Sequence, residues 1–387
     1  MFSFYFSERH QKNYNKDMKT LVELYDNDQI KNLYSAYALK PEKVVFLYEK
    51  EQEEIIDHPV IRKYVTAETE YRCFELSELD RILAEYKGAD CAVDILGGSD
   101  MAVASASMYA VHSGIKLVCP EVKTKEIQIL HQGKYTREPL EIPHLSIRDI
   151  VELHGGGIRD LGEIHYDARG RKAVETVNRV KRANDNRWSS FTKVMGGLYK
   201  KYGKHAQWKT EASVYNEYRT LLNGLKGDVL SVCEVRDNRL YMEFASPDYM
   251  ILLADAGVPF EYDTYYQMMD SGWFDDLDIR VNIDWNGGRF EHNDPNSELD
   301  VMASKDSRLI SVSCKAGKYD QQAIYEVESN AVRFGGREAV PVLCVDHHTD
   351  HPEYVLKAEE LGVLLIEHTD MWEGRCAERI REWFESH

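Results

Sequence analysis

Apolar residues in the first third of the chain come in short runs, each followed by a longer stretch with helical spacing. Residues 20–25 (TLVELY), 44–48 (VVFLY), 71–76, 91–96 (CAVDIL) and 116–119 read as strands. Helices are expected after them, up to about residue 39, then at 51–64, 79–86 and 100–112. Asp26-Asn27-Asp28 caps the first of these, and Gly97-Gly98-Ser99 opens the last. Strands of this kind alternating with helices predict a doubly wound, mainly parallel sheet.

The pattern then changes. Residues 145–153 predict a short helix, and Gly155-Gly156-Gly157 reads as a linker. Helices are expected over 172–204, broken at Gly196-Gly197, and a hairpin over 229–244, turning at Asp237-Asn238. A helical stretch at 247–269 precedes a mixed signal at 274–282. Strands at 299–302, 309–313, 340–345 and 363–366 are interleaved with helices at 321–333, 353–361 and 373–384. The expected division is 1–140, 141–247 and 248–387, with an α/β region at each end and a helical and hairpin middle.

The length of 387 residues suits more than one core. No apolar run is long enough to span a bilayer, and the aromatic start lacks the flank and cleavage site of a signal peptide, so a cytoplasmic protein without a membrane partner is expected. The seven cysteines include no CxxC pair and sit mostly in apolar runs, as buried thiols do. A net charge of −18 argues against a general nucleic-acid coat. Yet between Arg169 and Lys209 twelve basic residues face only Glu175 and Asp185. That stretch reads either as a solvated helical face or as a phosphate-facing surface.

Two places carry chemistry. In residues 296–318 (NSELDVMASKDSRLISVSCKAGK), period-two alternation puts Glu298 and Asp300 on one strand face, and Ser311, Ser313 and Lys315 on one face of the next. Paired as a hairpin, they form either an ordinary amphipathic edge or a patch where carboxylates take Mg²⁺ or Mn²⁺ and an ammonium stabilises phosphate charge. Secondly, the turn Gly97-Gly98-Ser99-Asp100-Met101, with Asn27 and Asp28 on the same rim, reads either as a capped glycine turn or as an anion site at a helix N-terminus. His347, His348 and His351, with Asp346 and Asp350, form no closed ligand set and read as structural. Tyr199, Tyr202 and Trp208 are either packing groups or stacking platforms for unpaired bases.

Asp300, an apolar strand and Ser313-Cys314-Lys315 resemble the core of PD-(D/E)xK nucleases. More narrowly, the chain resembles the CARF-domain nucleases of type III CRISPR systems, the Card/Can effector family. Gly272-Trp273-Phe274-Asp275 resembles that family's acidic helix motif, Glu298-Leu299-Asp300 its ExD strand and Ser313-Cys314-Lys315-Ala316-Gly317 its lysine strand. Tyr325-Glu326 with Phe334-Gly335-Gly336 resembles its following helix and turn, and Gly97-Gly98-Ser99-Asp100-Met101 its nucleotide-binding turn. Two positions depart: Ser313 stands where an acid is usual, and Asp100 where a lysine is common.

The resemblance implies a Rossmann-like CARF sheet, a helical middle and a restriction-endonuclease-like α/β domain. It implies a homodimeric endonuclease for single-stranded DNA or RNA, activated by cyclic tetra-adenylate and dependent on Mn²⁺ or Mg²⁺. Asp300, Glu298 and Asp275 would hold the metal, and Asp300, Lys315, Glu298, Ser313 and Glu326 would carry the chemistry. Asn27, Asp28, Gly97, Gly98, Ser99, Asp100 and Met101 would hold the activator. The alternative is a cyclic-oligoadenylate sensor, or an enzyme that degrades the ring itself, without C-terminal nuclease activity.

Overall fold

The structure is a computed structural model that describes residues 18–88, 90–160, 166–287, 296–348 and 351–387. The aromatic start, Gly288 and Asp350 lie outside these residues. By their internal contacts the residues form two compact units, 1–145 with 149–154, and 146–148 with 155–387.

In the first unit the alternating pattern gives β1 (Thr20–Leu24), α1 (Lys31–Leu39), β2 (Lys43–Tyr48), α2 (Pro59–Tyr64), β3 (Glu68–Cys73) and α3 (Leu79–Leu83). After these come β4 (Cys91–Asp94), α4 (Asp100–Ser113), β5 (Lys116–Glu121), β6 (Glu126–His131), β7 (Lys134–Pro139) and α5 (Ile147–Leu153). The sheet has seven strands in the order β3-β2-β1-β4-β5-β6-β7. The five strands from β3 to β5 run parallel, and β6 and β7 add an antiparallel hairpin that the helical spacing did not foretell. Val22, Val45, Leu47 and Val93 pack under Ala102, Ala106 and Ala110 of α4. Strand order reverses between β1 and β4, the place where open α/β sheets leave a crevice at the strands' carboxyl ends. The helix expected at 51–64 is instead a short 3₁₀ turn and α2. Asp57, at φ +62°, and Pro59 separate them, because proline starts a helix but cannot sit inside one.

The second unit begins with β8 (Gly157–Asp160), so the glycine run expected as a linker leads straight into a strand. Next come α6 (Ala168–Ala183), α7 (Asp185–Tyr202), β9 (Gln207–Glu211), α8 (Ala212–Gly224), β10 (Leu230–Arg236), β11 (Arg239–Phe244), α9 (Met250–Ala254) and α10 (Val258–Ser271). The chain ends with β12 (Asp276–Asp284), β13 (Asn296–Lys305), β14 (Arg308–Lys315), α11 (Gln321–Gly335), β15 (Val340–Val345), α12 (Pro352–Glu360), β16 (Leu364–Ile366), α13 (His368–Trp372) and α14 (Cys376–Ser386). The β10–β11 hairpin turns at Asp237 and Asn238, both at positive φ as a type I′ turn requires. The helical break falls at Asn184, not at Gly196-Gly197. A Cβ at Gly196 would lie 3.1 Å from the Ala254 carbonyl, so the glycine lets α7 and α9 approach.

The larger sheet is ordered β16-β15-β14-β13-β12-β8, with β12 to β14 antiparallel and β14 to β16 parallel. One core joins Ala173 and Val177 of α6, Phe191 and Met195 of α7, Leu240 of the hairpin, Phe260 of α10, and Val301, Ile310 and Val312 of the sheet. The helical middle is therefore the layer that covers one face of this sheet. Ile324 and Val327 of α11 cover Leu343 and Val345 on the other.

Candidate functional site

Strands β13 and β14 pair from Lys305 and Arg308 down to Val301 and Val312. The next pair along the ladder is Asp300 and Ser313, and there the backbone pairing stops. The Asp300 carboxylate takes over as acceptor, at 2.6 Å from the Cys314 amide and 3.3 Å from the Ser313 hydroxyl. Lys315 lies one residue beyond, half-buried, on the face it shares with Ser313. Burial pushes the Asp300 carboxyl up, against the pull of the Cys314 amide, the Lys315 charge and the Ser313 hydroxyl. The hairpin thus brings Asp300, Ser313 and Lys315 together as the alternation predicted.

The sequence reading missed Glu261. It lies on α10 with only 14% of its side chain exposed. Burial first, and then the charge of Asp300, push its carboxyl up to about 8, with Arg280 pulling the other way. Its Oε2 has no hydrogen-bond partner among the described residues. The signal was present: Glu261 is an acid on the stripe of α10 that otherwise carries Val258, Tyr262 and Tyr265.

Arg280 balances these acids. Its neighbours pair regularly, Ile279 with Val301 and Val281 with Leu299, but Arg280 itself is left-handed at φ +54°. For a residue with a side chain this costs about 1–2 kcal/mol. Its guanidinium lies 2.9 and 3.0 Å from Glu298 and 3.9 Å from Glu261. Glu298 is accordingly an exposed partner of Arg280.

Two other expected residues lie elsewhere. Asp275, expected as a metal ligand, binds the Lys305 ammonium at 2.9 Å and the Asp306 amide at 2.8 Å, at the turn that joins β13 and β14. That is the opposite end of the ladder from Asp300, because residue 275 precedes the strand rather than lying along it. Glu326 is exposed on α11 and accepts from Gln322 at 2.9 Å. Trp208 is core, at 1% exposure, and the Tyr202 hydroxyl donates to the Lys209 carbonyl. Tyr199 and Lys204, with Arg280, Asn282 and Glu298, line a cavity of about 370 Å³. Four of the twelve basic residues in the stretch pair with acids of the chain: Arg171, Lys172, Lys181 and Arg182 with Asp270, Asp228, Asp346 and Asp263. His348 faces Glu367 at 3.6 Å and His351 faces Glu353 at 2.9 Å.

Among the described residues, no three His, Cys, Asp or Glu side chains converge as a ready cation cage. Magnesium-type sites rarely need one, since one or two carboxylates suffice with waters and substrate phosphates. Two buried acids, of which Asp300 raises the pKa of Glu261 and Glu261 carries an unpartnered buried oxygen, fit such an ion.

In the first unit the rim residues meet at the crevice between β1 and β4. A Cβ on Gly97 would lie 2.5 Å from the Leu24 carbonyl, and Gly98 has φ +88°, so the turn needs glycine with or without a ligand. The Gly98 amide donates to Asp26 at 3.1 Å and the Ser99 hydroxyl to Glu49 at 3.1 Å, while Ser99 caps α4. A hydrogen-bond chain runs on from the Glu49 amide to Gln52 and from Gln52 to Asn27. Asp28 lies 3.5 Å from His154; burial works to raise its carboxyl, but the imidazole contact prevails and lowers it. Asp100 and Met101 stand exposed on the first turn of α4.

No helix among the described residues is long and apolar enough to cross a membrane. No protein-family model and no curated protein matches the chain. Solved structures do. Protein VC1899 from Vibrio cholerae is similar at 16% identity and a TM-score of 0.75, over 95% of this chain and 98% of that one. Can2 from Sulfobacillus thermosulfidooxidans, solved with cyclic tetra-adenylate, is similar at 14% identity and a TM-score of 0.70, over 96% and 98%. Along nearly its whole length, then, this chain has the fold of Can2 and VC1899: a seven-stranded, mainly parallel α/β sheet, a helical and hairpin middle, and a second α/β sheet domain at the C-terminal end.

Proposed function

We propose that the protein is a metal-dependent endonuclease of a type III CRISPR response, switched on by cyclic tetra-adenylate and cutting single-stranded DNA or RNA. The observation that carries this is the grouping of Glu261, Asp300 and Lys315 where two strands stop pairing, beside an open cavity. Glu261 and Asp300 are the residues to hold Mg²⁺ or Mn²⁺, which when bound would polarise a phosphate and acidify a water. Ser313 and the Cys314 amide fix the Asp300 carboxylate by hydrogen bonds. Lys315 supplies a positive charge for the phosphoryl oxygens. Arg280 neutralises Glu298 and draws the pKa of Glu261 down, so the acids coexist before an ion arrives.

The activator belongs at the rim of Asn27, Asp28 and Gly97 to Met101, at the crevice between β1 and β4. Can2, which shares the fold, was solved with this ring bound. A ring of repeated adenylates asks for a two-fold receptor. A second copy of the chain fits the apolar stripe on α4, where Met101, Met108 and Val111 are 63%, 66% and 55% exposed and Met101 also touches the rim. A sensor without nuclease activity is favoured by one observation, Ser313 in place of an acid.

Labelled single strands incubated with and without cyclic tetra-adenylate, and with Mn²⁺ or a chelator, separate the readings. Cutting is expected only when both are present, and Lys315→Ala is expected to abolish it while leaving ring binding unchanged. Wild-type-like cutting by that variant overturns the assignment. Ring binding without any cutting selects the sensor.

A further inference from the structure

We infer that a second cavity of the second unit seats an unpaired nucleobase of the substrate strand; this rests on the nuclease reading above. The cavity, about 300 Å³, is walled by Tyr166, Tyr262, Tyr265 and Tyr266, with Asp167 and Arg171 as its polar groups. Tyr262 also lines the cavity beside Arg280 and Glu298, so the two share a wall and one strand can reach both.

Three observations point to a flat, neutral ligand. The rings are tilted rather than stacked: Tyr166 to Tyr262 is 4.7 Å at 48°, Tyr262 to Tyr266 6.1 Å at 37° and Tyr265 to Tyr266 5.5 Å at 60°. Tilted pairs at these separations are ordinary aromatic packing. They nevertheless leave a volume at the lower end of ligand pockets, which run about 300–1,000 Å³. Next, Tyr266 is 7% exposed, yet its hydroxyl has no hydrogen-bond partner among the described residues. A buried hydroxyl left unpaired is unfavourable, and the ring nitrogens or exocyclic groups of a base would satisfy it. Finally, the charge balance excludes a phosphate seat. Arg171, 4.9 Å over the Tyr266 ring, is held at 2.8 and 2.5 Å by both oxygens of Asp270, and Asp167 adds a carboxylate. What remains is an aromatic surface for stacking, which every base accepts on its π face.

The test uses the full chain with cyclic tetra-adenylate and with Ca²⁺ in place of the catalytic ion, so that binding is read without cutting. A short labelled DNA strand is compared with strands carrying one abasic residue, scanned position by position. Tyr265→Leu keeps apolar bulk and removes the ring. It is expected to weaken binding of the intact strand by roughly tenfold, the scale of one stacked base. One abasic position is expected to weaken wild-type binding similarly, and the two losses should not multiply. Tyr266→Phe, which keeps the packing, should weaken the intact strand and leave the strand abasic at that position unchanged. The inference is overturned if both variants bind every strand as the wild type does, or if they lose affinity equally for intact and abasic strands. Wild-type protein that neither binds nor, with Mn²⁺, cuts any strand overturns the nuclease reading and this inference with it.

Discussion

Glu261→Gln is expected to make the protein more stable and inactive at once. The glutamine keeps the shape and removes the ionisable group. In the unfolded chain the carboxyl titrates near 4.5, and in the folded one it is held up at about 8. Between those values the native state binds more protons than the unfolded state, so stability falls as pH rises through the window. At pH 7 the folded carboxyl holds a proton that the unfolded one has lost, a penalty of about 3 kcal/mol at 1.36 kcal/mol per pH unit. The substitution removes that penalty, at most. At about 2–4 °C per kcal/mol for a unit of this size, a melting rise of about 6–12 °C is the ceiling. Below pH 4.5 the carboxyl is protonated in both states, so variant and wild type should melt together. The assay is thermal unfolding across pH 4 to 8 without divalent ions, beside a cutting assay with Mn²⁺, where activity should fall by about a hundredfold or more on loss of a charged ligand. A variant no more stable than wild type at pH 7, or a difference independent of pH, would refute the reasoning about Glu261.

Three further outcomes follow from the same geometry. Because an entering ion must expel the Glu261 proton, Mn²⁺ affinity measured by titration should rise about tenfold per pH unit between pH 6 and 7, and a flat profile contradicts a proton-linked site. Gly98→Ala forces a side chain to φ +88° and sets its Cβ 2.8 Å from that of Leu24, so the first unit should lose more than about 1 kcal/mol and ring affinity should drop; unaltered melting and binding contradict this. Glu49→Gln leaves Ser99 an acceptor but removes a negative charge from the rim, so calorimetry should show cyclic tetra-adenylate binding about two- to fivefold tighter, the scale of a partly exposed charge; weaker binding would show that the carboxylate helps to hold the ligand.

Much of the fold was legible because strands and helices differ in hydrophobic period. Buried runs such as 44–48 and 340–345 and the Asp237-Asn238 turn need no tertiary context. The β6–β7 hairpin escaped because residues 134–139 (KYTREP) form an exposed edge strand with almost no apolar alternation. In the site, Asp300 and Lys315 were readable from period two within a hairpin, a local relation. Glu261 and Arg280 were not, since their part depends on a helix packed across the strands and on one left-handed backbone angle. Asp275 misled for the complementary reason. Its spacing matched a motif, while its Lys305 and Asp306 contacts form only once the turn closes.

At the heart of the strand pair, residue 314 meets the Asp300 carboxylate through its main-chain amide alone. Its thiol points the other way, to Thr264 on α10 at 3.5 Å. The spacing between acid and lysine is therefore ruled off by peptide geometry, and side-chain identity at that link is free to drift with the packing behind it. Serine, alanine or valine there would carry the same ruler. Proline, having no hydrogen to donate, is the one replacement that erases it.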